Sequence, residues 1–433
     1  MGHVLQTWRD RSKGRRIDRD HIRVLASYVK ELRLPDAIAY MQVGKGIYEC
    51  LFNGLLVPGN SRPFFPKLEK VITTQYGERT YPRTEFRYLA AFALRHIPTL
   101  RHIQIRGLEY RELLLAESLL SQWPKAWQST LRVLHVEDIS PCDLDEIARL
   151  ENLEALSITD QMRSLIGVSA ERMLSTKLKA VRAYSSLSDL FAILMIIPSA
   201  SCKELDIAVL QKYFDTSRNI SSGGGSEDVD VEEIIKPFTA GSQSDLRSFS
   251  LTLMLDVHFR HCAICAVTLK PLQALSKLRV LRVDSTSDEI TLDNASLLEL
   301  VPGWKCLEVL VILGRRFIQS HVTLDVLPAL ITELKHLQTL EMGFSVPEVP
   351  AIPPSSVDSR RQLNLRIEPR CSSDLNHIGT RDFVGIARFL LHTSPGENQN
   401  VQLTYEPVET SLSLWVEVVR EFRERQRLFH GKA

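Results

Sequence analysis

Apolar residues fall along this chain in one recurring phrase, Leu-x-x-Leu-x-Leu/Ile/Val. It reads Leu100-Arg-His-Ile103-Gln-Ile105, Leu131-Arg-Val-Leu134-His-Val136 and Leu153-Glu-Ala-Leu156-Ser-Ile158. It returns as Leu278-Arg-Val-Leu281-Arg-Val283, Leu307-Glu-Val-Leu310-Val-Ile312 and Leu337-Gln-Thr-Leu340-Glu-Met342. Looser copies sit at Val29/Leu32/Leu34, Leu68/Val71, Leu178/Val181/Ala183, Cys202/Leu205/Ile207 and Leu246/Phe249/Leu251. The last two apolar positions of a copy alternate with polar ones, which is the period of a strand with one buried face. A strand this short cannot bury that face alone, so stacked neighbours must do it.

Between copies the apolar spacing turns helical. Phe86, Ala90, Ala93 and Ile97 form one stripe, as do Leu113, Ala116, Leu120 and Trp123. Leu187, Leu190, Leu194 and Ile197 form a third, and Leu324, Leu327, Ile331 and Leu334 a fourth. Steps of three and four residues place each set on one helix face. The alternation predicts an α/β leucine-rich-repeat solenoid, a curved parallel sheet of about ten or more short strands with helices on its convex side. Most copies start 22 to 32 residues apart. The step from Cys202 to Leu246 is longer because it holds Ser221-Ser-Gly-Gly-Gly-Ser-Glu-Asp-Val-Asp-Val-Glu-Glu233. Gly, Ser and acidic residues bury too little apolar surface to offset ordering, so a disordered insertion is expected near 215–232.

The ends depart from the phrase, as solenoid caps do. The expected organisation is an N-terminal cap or linker over 1–28 and irregular repeats over 29–345. A terminal repeat with a C-terminal helical cap follows over 346–433. That cap offers a helix from Thr380 with Phe383, Ile386, Leu390 and Leu391 inward, then a strand-like Val401-Gln-Leu-Thr-Tyr405. A last helix from Ser411 has Trp415, Val418, Val419 and Phe422 on one side. Its tail carries Arg420, Arg423, Arg425 and Arg427, where positive charge suits the helix dipole.

Composition narrows the partners. A net charge of +1 supplies no global attraction to nucleic acid or an anionic membrane. The longest strongly apolar run, Leu190 to Ile197, is too short to span a bilayer and ends at Pro198 as a buried helix would. The first ten residues hold no apolar stretch like a signal peptide, and Gln6 spoils a myristoylation reading of Met1-Gly2. Seven scattered cysteines suit a reducing compartment, so the expected location is cytoplasm or nucleus.

Little in the chain suggests chemistry. His258-Phe-Arg-His261-Cys262-Ala-Ile-Cys265 is the one cluster of ligand-type residues. A zinc site needs two donor pairs brought from separate turns, and here no second pair follows, so the cysteines read as small apolar residues. No nucleophile elbow, phosphate loop, metalloprotease helix or dinucleotide fingerprint appears. Asp143 and Asp145 read as the first turn of a helix. The expectation is a binding protein, not an enzyme, with no cofactor and no metal.

The residues between the repeat leucines point to the concave face and are the candidate contacts for another protein. They include His102, Gln104, Arg106, His135, Arg182, Tyr184, Arg282 and Asp284. One copy is apolar there, with Val309, Val311 and Leu313 where polar residues are expected. That stretch is either an exposed contact patch or a surface covered by the C-terminal cap or a loop.

In repeat style the whole chain resembles the leucine-rich-repeat portion of fungal F-box proteins. The closing Trp415-to-Arg427 helix is similar to theirs. Trp8 with His21-Ile-Arg-Val-Leu-Ala-Ser-Tyr-Val-Lys-Glu-Leu-Arg-Leu34 looks like the segment that follows their F-box. The resemblance implies substrate recognition for a ubiquitin ligase. It departs in two places. No F-box pattern precedes Val29, so an adaptor is expected to bind only if an F-box is supplied upstream. The family's Asn or Cys three residues past the last Leu is replaced by Ala37, Leu108, Ile139, Gln161, Leu210, Thr286 and Arg315.

Overall fold

The computed structural model describes residues 24, 27–34, 66–73, 99–104, 125, 127–137, 141–159, 174–198, 201–210, 232, 235–236, 239, 245–254, 264–285, 290–314, 321–345, 350–351, 364–369, 380–393, 401–403, 418, 420–422, 424–425 and 427. The segments carrying the stripes Phe86–Ile97 and Leu113–Trp123 lie outside them, as does the expected insertion over 215–232 except its last residue, Glu232, which is helical. The chain divides into two compact units, Met1–Tyr184 with Met195–Pro198, and Ser185–Leu194 with Ser199–Ala433.

In the first unit every tight or loose copy of the phrase is a strand. These are β1 (Glu31–Leu34), β2 (Lys70–Thr73), β3 (His102–Gln104), β4 (Val133–Glu137), β5 (Ala155–Thr159) and β6 (Ala180–Ser185). They pair in parallel and in chain order, each with the next. The register matches equivalent leucines: Ile103 opposes Leu134, Leu134 opposes Leu156, and Leu156 opposes Val181. One apolar row therefore runs along the core face, and all four of these side chains are buried. Among the described residues, α1 (Trp127–Thr130) and α2 (Pro141–Ala148) lie between strands; Trp127 in α1 and Leu144 and Ile147 in α2 are buried.

The second unit repeats the arrangement with β7 (Glu204–Leu210), β8 (Ser248–Met254), β10 (Val280–Ser285), β12 (Val309–Gly314), β13 (Thr339–Phe344), β14 (Asn364–Pro369) and β15 (Val401–Leu403). Neighbours in this series are again parallel. Leu281 opposes Phe249 on one side and Leu310 on the other, and Leu310 opposes Leu340. A separate two-stranded ladder pairs β9 (Ile264–Cys265) with β11 (Ile290–Thr291) at the start of successive helices. Those helices are α4 (Ala266–Leu269) and α5 (Asn294–Leu300); α3 (Leu187–Met195) lies earlier, and α6 (Leu327–Glu333) and α7 (Thr380–Thr393) later.

The stripe Leu187–Ile197 yields α3, with Leu190, Ile193 and Leu194 buried and the chain leaving the helix ahead of Pro198. Leu324–Leu334 splits: Leu324–Val326 winds as 3-10, then Pro328 opens α6, because proline at the first turn has no N–H to lose. The helix–strand junctions before β10, β12 and β13 are tight turns. The Leu278 amide donates to the Leu275 carbonyl at 3.0 Å, Leu307 to Trp304 at 2.9 Å, and Leu337 to Leu334 at 3.0 Å. The repeat is thus longer than the phrase, since an apolar residue three places earlier sets the turn.

Adjacent repeats are also tied on the helix side. The Asn294 side chain donates to Thr323 Oγ1 at 2.7 Å and accepts from the Thr323 amide at 2.8 Å. Asp293 caps α5 by accepting from the Ser296 amide at 2.7 Å, which satisfies one of the orphan donors of its first turn. In the late part, α7 buries Ile386, Ala387, Phe389 and Leu390, and Val418 and Phe422 are buried in helical conformation.

Candidate functional site

The candidate surface is the strand face opposite the apolar rows. In the first unit the register sets Ile72, Gln104, His135, Ser157 and Arg182 in one row. Glu31, Lys70, His102, Val133, Ala155 and Ala180 form the row before it, and Glu137, Thr159 and Tyr184 the row after. Arg182 is exposed; His135 and Tyr184 are half-buried. Arg106 and the cluster members His258, His261 and Cys262 lie outside the described residues. Cys265 belongs to β9, and the described residues contain no group of three or more side chains able to hold a metal.

Sequence reading missed how the histidines meet. His102 and His135 sit diagonally across β3 and β4, and their rings stack at 5.6 Å between centroids with planes 25° apart. Beside them Lys70 pairs with Glu31 at 3.6 Å. The aligned phrases held the signal: with Ile103 opposite Leu134, residue 102 is the diagonal neighbour of 135, a spacing within reach of ring side chains. His102 Nε2 is buried and makes no hydrogen bond. Burial, and then the Lys70 charge, hold the His102 imidazole below its ordinary pKa, with Glu31 opposing.

A pH dependence follows from that shift. A histidine depressed in the folded chain takes its proton more readily when unfolded, so its contribution is present above the unfolded value and lost as pH falls through the folded one. Stability of the first unit should therefore decline from about pH 6.5 downward. In denaturant titrations at pH 7.5 and pH 5, His102→Gln should show a smaller difference between the two pH values than the parent. Equal slopes in the two proteins would remove His102 from the account.

In the second unit one row contains Asp206, Ser250, Arg282, Val311, Glu341, Arg366 and Gln402. Arg282 is exposed and Asp284 half-buried, both on β10. Val309 and Leu313 are half-buried, while Val311 is 4% exposed. On β13 the matching Glu341 is 9% exposed. At the apolar copy the middle residue Val311 is thus buried, with Val309 and Leu313 partly exposed on either side of it. On this face Ser250 and Thr252 of β8 and Arg282 and Asp284 of β10 retain exposure.

Both units are α/β, with parallel strands paired in chain order and helices between successive strands. Among the described residues no helix is long and apolar enough to cross a membrane. Compared with family models and with curated proteins, the chain matches none.

Proposed function

We propose that this chain is a leucine-rich-repeat module that binds another protein through the strand face opposite its core. The observation that carries the reading is the placement of long polar side chains on paired strands. Arg182 and Tyr184 occupy alternate positions of β6, and Arg282 and Asp284 those of β10. Side chains on a hydrogen-bonded sheet lose little further backbone freedom on binding, and Arg and Tyr are the types enriched among interface hot spots. No enzymatic turnover, cofactor or metal belongs to the proposal, and neither nucleic acid nor a membrane is the partner.

The quadruple variant Arg106→Ala/Arg182→Ala/Tyr184→Ala/Arg282→Ala should weaken capture of the native partner by about 1–2 kcal/mol for each position that is a hot spot. Arg182 and Arg282 are exposed, so folding should survive their loss. Co-precipitation from the native cell, with circular dichroism of the variant alongside, reads both quantities. Undiminished capture by a folded variant would move the site to the helices, the loops or the ends.

The narrower reading, substrate recognition within a ubiquitin ligase, rests on the resemblance to fungal F-box proteins. The alternative is a free-standing scaffold with no ubiquitin role. A ligase adaptor among the co-precipitated proteins supports the first; partners captured without one support the second.

A further inference from the structure

The edges where the chain enters its strands differ in charge between the two units. In the first, Arg101, Arg132, Glu154 and Lys179 follow one another along a backbone ladder of 2.7–2.8 Å bonds. Arg101 and Arg132 are adjacent cations there too, but an anion stands between Arg132 and Lys179: the Glu154 carboxylate lies 3.4 Å from Arg132 and 2.8 Å from Lys179. In the second unit the equivalent ladder reads Lys203, Arg247, Arg279, Glu308 and Gln338, three cations in succession. Glu308 reaches Arg279 at 3.3 Å, and Asp245 engages Lys277. Among the described residues no carboxylate lies within ion-pair distance of Arg247, though Asp245 feels its charge more weakly than those of Lys277 and Lys203.

Arg247 and Arg279 of this ladder, with Lys277, line a cavity of about 220 Å³ together with Cys306, Glu308 and His336. Like charges on neighbouring strands repel, and an anion between them relieves that repulsion. Two guanidinium groups present fixed N–H forks that suit a tetrahedral oxyanion better than a lone ammonium does. The cavity is open to solvent, so a ligand needs no rearrangement to enter, and the Cys306 side chain is exposed there.

We propose that this cavity binds an oxyanion of the phosphate class, with Arg247 and Arg279 as forked donors and Lys277 as a supporting point charge. The anion is free phosphate or a phosphate monoester on a docked chain. The site is at the strand-entry edge, separate from the strand face assigned above, and stands or falls without it.

Cys306 supplies the readout. The full-length chain is alkylated with iodoacetamide, a neutral reagent, and modification of the Cys306 peptide is followed by mass spectrometry. Inorganic phosphate or a phosphoserine peptide is titrated in, with sodium chloride holding ionic strength constant. Saturable protection is expected. Arg247→Ala and Arg279→Ala should each raise the half-protecting concentration about tenfold or more, the effect of losing one charge-assisted hydrogen bond. Glu308→Gln, which removes the opposing carboxylate and frees Arg279, should lower it; this variant decides the matter if an arginine variant fails to fold. Arg132→Ala, on the first unit, should leave it unchanged. Protection by phosphate but not by the peptide assigns a free anion, and protection by the peptide assigns a phosphorylated chain. Protection no greater than chloride gives, indifference to both arginine changes, or weaker binding by Glu308→Gln would overturn the proposal.

Discussion

Trp304→Ala is expected to destabilise the second unit by about 3–5 kcal/mol, the range for truncating a buried aromatic side chain. Trp304 is fully buried and closes the turn into β12, its amide donating to the Val301 carbonyl and its carbonyl accepting from Leu307, each at 2.9 Å. Leu275 and Leu334 hold the same place in the neighbouring repeats, so the indole fills more volume than its equivalents and leaves a larger void when removed. Its Nε1 is buried and donates no hydrogen bond. An N–H in that state costs about 1–3 kcal/mol, which Trp304→Phe would recover while giving up part of the volume. The phenylalanine variant should therefore lose much less than the alanine variant. Urea denaturation of all three proteins measures the difference. Equal losses for Phe and Ala would mean that the indole nitrogen has a partner and that the energetics lie in a hydrogen bond.

The strands were legible because their signal is local. Each phrase carries its own period, and even the loosest copy, Leu68/Val71, forms β2 with Leu68 and Val71 buried. Parallel pairing in chain order follows once one knows that no copy can bury itself. β14 escaped because its apolar residues, Leu365 and Ile367, alternate without the leading Leu-x-x step and follow a Pro-rich stretch. β9 and β11 are two residues long, too short for any period to register. The helical stripe at 187 and, after its 3-10 start, the one at 324 were legible for the opposite reason to β14: each has about two turns over which the spacing accumulates.

The candidate surface was legible as a face but not as an exposure pattern. Alternation tells which side of the sheet Val311 occupies, and the structure agrees, since Val311 opposes Arg282 and Glu341. Whether a residue on that side meets water depends on its surroundings in the fold, which alternation does not report. The same limit applies to Glu341, a charged residue that periodicity would assign to solvent. The cationic edge was hidden differently. Lys203, Arg247 and Arg279 are 44 and 32 residues apart, and only the register makes them neighbours.

Gly303→Ala is expected to lower stability where the same change elsewhere would raise it. Gly303 ends the 3-10 turn Val301–Gly303 and lies against the preceding repeat's turn, Lys270–Ala274. A methyl group there would come within 2.7 Å of both Cα and Cβ of Gln273 and 2.8 Å of its carbonyl oxygen. Two of those three atoms are backbone, so a rotamer change cannot clear the space. Gln273 is held as well, its Nε2 donating to the Glu299 carbonyl at 2.6 Å. Where a methyl fits, Gly→Ala stabilises by about 0.4–1 kcal/mol through the unfolded chain, whereas overpacking costs about 1–3 kcal/mol. The second effect should win, giving a lower denaturation midpoint. Gln273→Ala added to Gly303→Ala should not rescue it, because Cα and the carbonyl oxygen remain in place. A midpoint at or above the parent's would show that the two turns can separate without loss, and that close contact between these repeats is not what holds the helix side together.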